Sequence, residues 1–173
     1  VLVIPTANLH FDLNALDSAE RLSSLEEALL MCGNRIVPLE MTMQDVAEKL
    51  AFDIGHFNQA GCVNAKVVCV ETGTDKAGIA RANLFGEMVF DALQALPPSV
   101  SSIHPYFDPV LKEEIDGIRY GDDFRVFGGK QAEGAIIVSQ SDDEVSFSEQ
   151  LDCRVANLIP VADIGAALQH ITI

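Results

Sequence analysis

Basic residues are scarce. Lysine and arginine together number 11 against 26 aspartates and glutamates, and the net charge is −15. Nucleic-acid binding rests on a basic face, so this balance argues against a nucleic-acid partner. It equally disfavours docking on an anionic membrane surface. Long apolar runs are also missing: runs such as Val67–Val70 and Ala135–Val138 are far short of the roughly 20 residues that a bilayer-crossing helix requires. The first residues show no basic stretch leading into an apolar one and a cleavage site. The four cysteines, Cys32, Cys62, Cys69 and Cys153, form no C-x-x-C pair and have no histidine at metal-ligand spacing, so no metal site is expected. Small thiols in apolar surroundings fit a reducing cytoplasm. No glycine-rich strand–turn–helix fingerprint for a dinucleotide is present. Gly128-Gly129-Lys130 lacks the spacing of a phosphate-binding loop and reads as a tight turn.

What is there is an ordinary globular composition, 49% hydrophobic over 173 residues, enough for one core, or for one and a fragment of a neighbour. Val1–Pro5 reads as a strand. Ser18–Met31 reads as a helix, with Ser24 and Glu27 as a capping box, and Arg35–Met41 as a strand. Asp45–Gly61 is expected to be a helix, opened by an Asp45/Glu48 capping box and closed by Gly61. Its apolar stripe is Val46, Leu50, Ile54 and Phe57. Lys66–Glu71 has the β-branched run of a buried strand. A helix over about Lys76–Leu96 and a shorter one over Asp108–Ile115 follow. Strands are expected at Phe124–Phe127, Ala135–Gln140 and Val155–Val161, then a final helix capped by Asp163. Alternation of this kind predicts an α/β fold of three layers, a mostly parallel sheet with flanking helices.

The densest chemical signal is Phe57-Asn58-Gln59-Ala60-Gly61-Cys62-Val63-Asn64-Ala65. It places a cysteine between the end of a helix and a strand entering the core. A nucleophile needs such a position, accessible to substrate yet held by rigid elements on both sides. Backbone N–H groups at the bend can stabilise an oxyanion. His56 precedes Cys62 closely enough for a Cys–His pair of the hydrolase kind, although a partly exposed helix histidine explains it as well. Cys69 alternates into the strand core as an inert thiol. Arg119, Arg125 and Lys130, in the glycine-rich stretch from Gly117 to Gly134, are the nearest approach to a basic cluster, either solvated or facing a phosphate.

The segment from Asp45 to Glu71 resembles the catalytic-cysteine signature of the aldehyde dehydrogenase superfamily. Phe57, Asn58, Gly61, Cys62 and Ala65 carry the match, and Gln59 is displaced from its usual place. The run through Lys66-Val67-Val68-Cys69-Val70-Glu71 is more similar to the acyl-CoA reductase branch. Ser24–Met41 resembles the last cofactor-domain helix and the strand with L-E-L-G-G, although Thr42 and Met43 stand where the two glycines would be. Leu151–Ile171 resembles a late superfamily segment, with Cys153-Arg154-Val155-Ala156 in place of its ribose-binding glutamate motif.

The resemblance implies an aldehyde-dehydrogenase-like catalytic domain over residues 42–173 and the incomplete edge of a cofactor-binding domain over 1–41. It implies Cys62 as the nucleophile, Glu40 as general base and Asn58 as a further catalytic residue. It implies NADPH or NADH as cofactor, an acyl-CoA or aldehyde as substrate, and a homodimer. The expected reaction is reduction of an acyl-CoA, of the fatty-acyl class, to the aldehyde through a thioester on Cys62. The alternative is a non-catalytic acyl-binding or assembly module of the same fold.

Overall fold

A computed structural model describes residues 2–5, 42–61, 64–103 and 106–170. The helix and strand expected within 6–41 lie outside these residues. The described chain forms one five-stranded sheet. Its strands are β1 (Leu2–Pro5), β2 (Val67–Glu71), β3 (Phe124–Gly128), β4 (Ala135–Ser139) and β5 (Val155–Val161), in the spatial order β1-β2-β5-β4-β3. All neighbouring pairs are parallel except β3–β4, an antiparallel hairpin at the edge. Leu2–Pro5 pairs with Val68–Glu71, so β1 extends the same sheet as the strands of residues 67–161.

The helices are α1 (Met43–Gly55), α2 (Lys76–Ala95), α3 (Pro109–Ile118) and α4 (Ile164–Gln169). They cover both faces of the sheet, and the period-2 alternation of the strands decides which residue meets which helix. Val68, Val70, Ile136, Val138, Ala156 and Leu158 point to one side. There they pack with Leu50, Ala51 and Ile54 of α1 and Phe85, Val89 and Leu93 of α2. Ala135, Ile137 and Val155 point to the other, against Leu111 and Ile115 of α3 and the loop residues Val145, Phe147 and Leu151. Cys69, Ile159 and Val161 meet Ala167 of α4. β4 and β5 are buried along their whole length, the reason they read as continuous apolar runs. Among the described residues no helix is long and apolar enough to cross a membrane.

The start of α1 differs from the expected Asp45/Glu48 box. Thr42 is the cap: its hydroxyl accepts from the Asp45 N–H, and the Asp45 carboxylate accepts from the Thr42 N–H at 2.7 Å. The hydroxyl also donates to that carboxylate, and these bonds hold the Asp45 carboxyl below the ordinary carboxylate range. Thr42→Ala is expected to lower stability by about 1 kcal/mol, the usual worth of such a cap, read as a fall in the urea midpoint at unchanged m-value.

Candidate active site around the cysteine bend

The helix expected to run to Gly61 ends at Gly55. After His56, the residues Phe57 (φ 52°, ψ 33°), Asn58 (φ 54°, ψ 34°) and Gln59 (φ 67°) all take the left-handed conformation. Each non-glycine residue there costs about 1–2 kcal/mol, so three in succession persist only if their surroundings hold them. The surroundings are visible. The Phe57 N–H donates to the Val100 carbonyl and the Ala60 N–H to the Phe57 carbonyl. Asn58 Oδ1 accepts from Ser101 Oγ at 3.1 Å and from the Ser102 N–H at 2.8 Å. Asn58, expected as a catalytic residue, thus commits its amide oxygen to anchoring the turn.

Gln59 is 2% exposed. Its Nε2 donates to the carbonyls of Ala65 (3.0 Å) and Val155 (2.8 Å), while Oε1 accepts from the Val155 N–H at 3.0 Å. Asn64 closes the other end of the bend. Its Oδ1 accepts from the Gly61 N–H, its Nδ2 donates to the carbonyls of Asp53 and His56, and its own N–H donates to the Gly61 carbonyl. The two residues in sequence between these fixed ends are Cys62 and Val63, which lie outside the described residues, as do Glu40 and Cys32. Gln59 and Asn64 were not singled out as site residues from the sequence. The only trace of their role is three side-chain amides within seven positions flanking a cysteine.

The His56 ring stacks on Phe57 (centroids 4.1 Å apart) and meets Phe52 at 4.8 Å. Phe57 is 73% exposed, and Ile103, next to the Ser101–Ser102 anchor, 63%. An apolar surface therefore flanks the bend.

The other basic candidates make contacts within the fold. Arg119 donates to Asp116 and to the Gly128 carbonyl. Arg125 lies over the Phe127 ring, and the backbone N–H of Lys130 donates to the Glu133 carboxylate. Arg154, in the segment that replaces the ribose-binding motif, is buried. Its Nη2 donates to the Leu93 carbonyl in the last turn of α2, a favourable place for a cation. Among the described residues no group of three or more histidine, cysteine and acidic side chains could hold a metal.

A nicotinamide dinucleotide finds no pyrophosphate cradle among the described residues. The one parallel strand–glycine turn–helix, from β2 through Thr72–Asp75 into α2, is filled by the chain itself. The Asp75 carboxylate caps the Gly78 N–H at 2.7 Å, Arg81 donates to the Thr72 carbonyl, and even a Cβ on Gly78 would run into the Gly73 oxygen. A carboxylate at the helix N-terminus occupies the place an anion would take.

Two other thiols are described. Cys69 is fully buried in β2, and burial, with the Glu144 charge second, pushes its thiol up. Cys153, 6% exposed with a left-handed backbone (φ 56°), has its thiol pushed up by burial and then by Asp152. A raised folded value means that the folded state holds the proton longer than the unfolded chain. The associated stability is complete below the ordinary thiol value of about 8.5 and is lost as pH rises through the folded values. Stability is therefore expected to fall as pH rises in the alkaline range, read as a falling melting temperature, and Cys69→Ala should flatten that slope. No protein-family model, no curated protein and no solved structure matches the chain.

Proposed function

We propose that the protein is an acyl-transferring enzyme of the acyl-CoA reductase kind, with Cys62 as the residue that takes the acyl group. The observation that carries this reading is the bend itself: three left-handed non-glycine residues, held by hydrogen bonds to Val100, Ser101, Ser102 and Val155, lie in the chain just ahead of a cysteine, with Ala60 and Gly61 between. Backbone strain held against its cost concentrates where chain geometry serves chemistry. The resemblance of Phe57–Ala65 to a catalytic-cysteine signature supplies the chemistry. The Cys62 thiolate adds to the carbonyl carbon of an acyl-CoA, and the carbon–sulfur bond to coenzyme A breaks. The departing thiolate takes up a proton, and the acyl group remains as a thioester. No electrons are exchanged in this half. The exposed faces of Phe57 and Ile103 supply apolar area that an acyl chain could cover.

The resemblance implies reduction of that thioester to the aldehyde by NADPH or NADH. The described residues do not fit a dinucleotide, so the hydride step is assigned to none of them. The filled turn at Gly73–Gly78 favours a second reading, an acyl-binding or assembly module that never reduces its acyl group. Intact mass after brief incubation with a medium-chain acyl-CoA tests both. One acyl adduct per chain supports the enzyme reading, and an unmodified chain that still retains the acyl-CoA through gel filtration supports the module.

A further inference from the structure

We infer that the outer edge of β3 is a docking surface for a second copy of this chain, which adds there as an antiparallel strand about a two-fold axis at Val126. β3 ends the sheet: among the described residues it pairs with β4 alone. Two hydrogen bonds at the ends of the hairpin fix which way its backbone points. The Gln140 N–H donates to the Asp123 carbonyl, and the Gly129 N–H to the Gly134 carbonyl. Both bonds lie on the β3–β4 register, and bonded pairs recur at every second residue of an antiparallel ladder. Asp123, Arg125, Phe127 and Gly129 therefore face β4, and the backbone groups of Phe124, Val126 and Gly128 face away from the sheet. Arg119 covers one of these, the Gly128 carbonyl, through Nη2 at 2.7 Å. The rest of the row is a template for another strand.

The edge is complementary to itself. In an antiparallel pair centred on Val126, that residue meets its own counterpart, and its N–H and carbonyl bond the same two groups of the other copy. Phe124 then lies opposite Gly128 of the partner subunit, which has no side chain to obstruct the ring. Arg125 lies opposite the partner's Phe127, in the closer kind of pair, with Cα atoms about 4.5 Å apart. Within one chain Arg125 Cζ already stands 5.3 Å from the centroid of the Phe127 ring. The same cation–ring contact is thus offered twice across the axis. The charges at the strand ends agree with this register. Asp122 and Asp123 precede β3 and Lys130 follows it; Asp122 and Lys130 are exposed and form no ion pair among the described residues. An antiparallel copy sets each acidic end beside a basic end, whereas a parallel copy would set like charges together. That local match matters in a chain of net charge −15, which otherwise repels its own kind. The strand lacks the usual devices that protect an edge: Phe124–Gly128 contains no proline or lysine, and no positive φ occurs before Gly128.

Sedimentation of the full chain at low salt tests the inference. Wild type is expected to pass from monomer to dimer across the micromolar range, as suits an interface of one strand per copy. Val126→Pro removes an N–H that faces away from the sheet, a place where an edge strand tolerates proline. The fold should therefore hold while dimerisation weakens by at least about tenfold, since one hydrogen bond is lost on each side of the axis. Lys130→Asp and Asp122→Lys are each expected to weaken the dimer about twofold to tenfold. Asp122→Lys is the more telling, because it lowers the net negative charge and should still weaken association. The double variant restores both the net charge and the opposite-charge pairing, and is expected to dimerise as wild type does. A chain that stays monomeric throughout overturns the inference, as does a folded Val126→Pro variant that dimerises as wild type. A double charge variant no tighter than the single ones overturns the antiparallel register. Both charged positions are exposed, so they decide the matter if Val126→Pro does not fold, and wild-type association in both single variants then overturns the inference.

Discussion

Cys62→Ala is expected to abolish the acyl adduct, whereas Cys69→Ala and Cys153→Ala are expected to retain it. The contrast follows from where the other thiols lie. Only the thiolate attacks a thioester, and both described thiols are held in the protonated form by burial and a neighbouring carboxylate. Cys69 points into the layer between the sheet and α4, beside Ile159 and Val161, where no acyl-CoA could reach it. Cys153 lies under its own loop with Sγ donating to the Tyr106 carbonyl. Cys32→Ala completes the series. A single thiol that accounts for the whole adduct supports the cysteine-bend reading. An adduct that survives Cys62→Ala, or moves to Cys32, would sink it. Cys69→Ala leaves a void in a close-packed layer, so each variant is compared per folded molecule.

Phe85→Ala should lower stability by about 3–5 kcal/mol, the range for removing a buried aromatic side chain. Phe85 is fully buried on α2 and belongs to the core in which α1, α2 and three strands meet. A domain of this size commonly has about 5–15 kcal/mol in all, so the variant would stand near the threshold of unfolding. Leu84, its neighbour in sequence, is 53% exposed. Leu84→Ala is expected to fall within about 0.5 kcal/mol of wild type. Urea unfolding of the pair, fitted with a common m-value, gives both numbers. Equal effects at positions 84 and 85 would mean that the packing of α2 on the sheet is wrong.

The α/β layering could be read from the chain because local rules and tertiary packing agree there. Val155–Val161 is a strand over its expected range, and the helix expected from Lys76 to about Leu96 spans Lys76–Ala95. Pro109 stands in the first turn of α3, as its fixed φ allows. Asp163 caps α4 through the Ala166 N–H. Even the α1 boundary was missed by only one turn, since Thr42 and Asp45 form a capping box as readily as Asp45 and Glu48 would.

The cysteine bend is where local rules fail. The apolar stripe of α1 passes through Phe57, so periodicity carries the helix onward, and no glycine at 57, 58 or 59 announces a reversal of φ. The left-handed turn exists because of partners far along the chain: Ser101 and Ser102, 43 and 44 residues from Asn58, and Val155, 96 residues from Gln59. Such contacts leave no local pattern, because a side-chain amide that bonds a distant strand's backbone reads in sequence as one more polar residue. The amino-acid sequence by itself determined the succession of strands and helices, the acidic surface and the presence of a cysteine between a helix and a buried strand. The order of strands in the sheet, the left-handed turn at residues 57–59 and the bonding of Gln59 to Val155 were decided only by tertiary structure, since each depends on backbone groups that meet after the chain has folded.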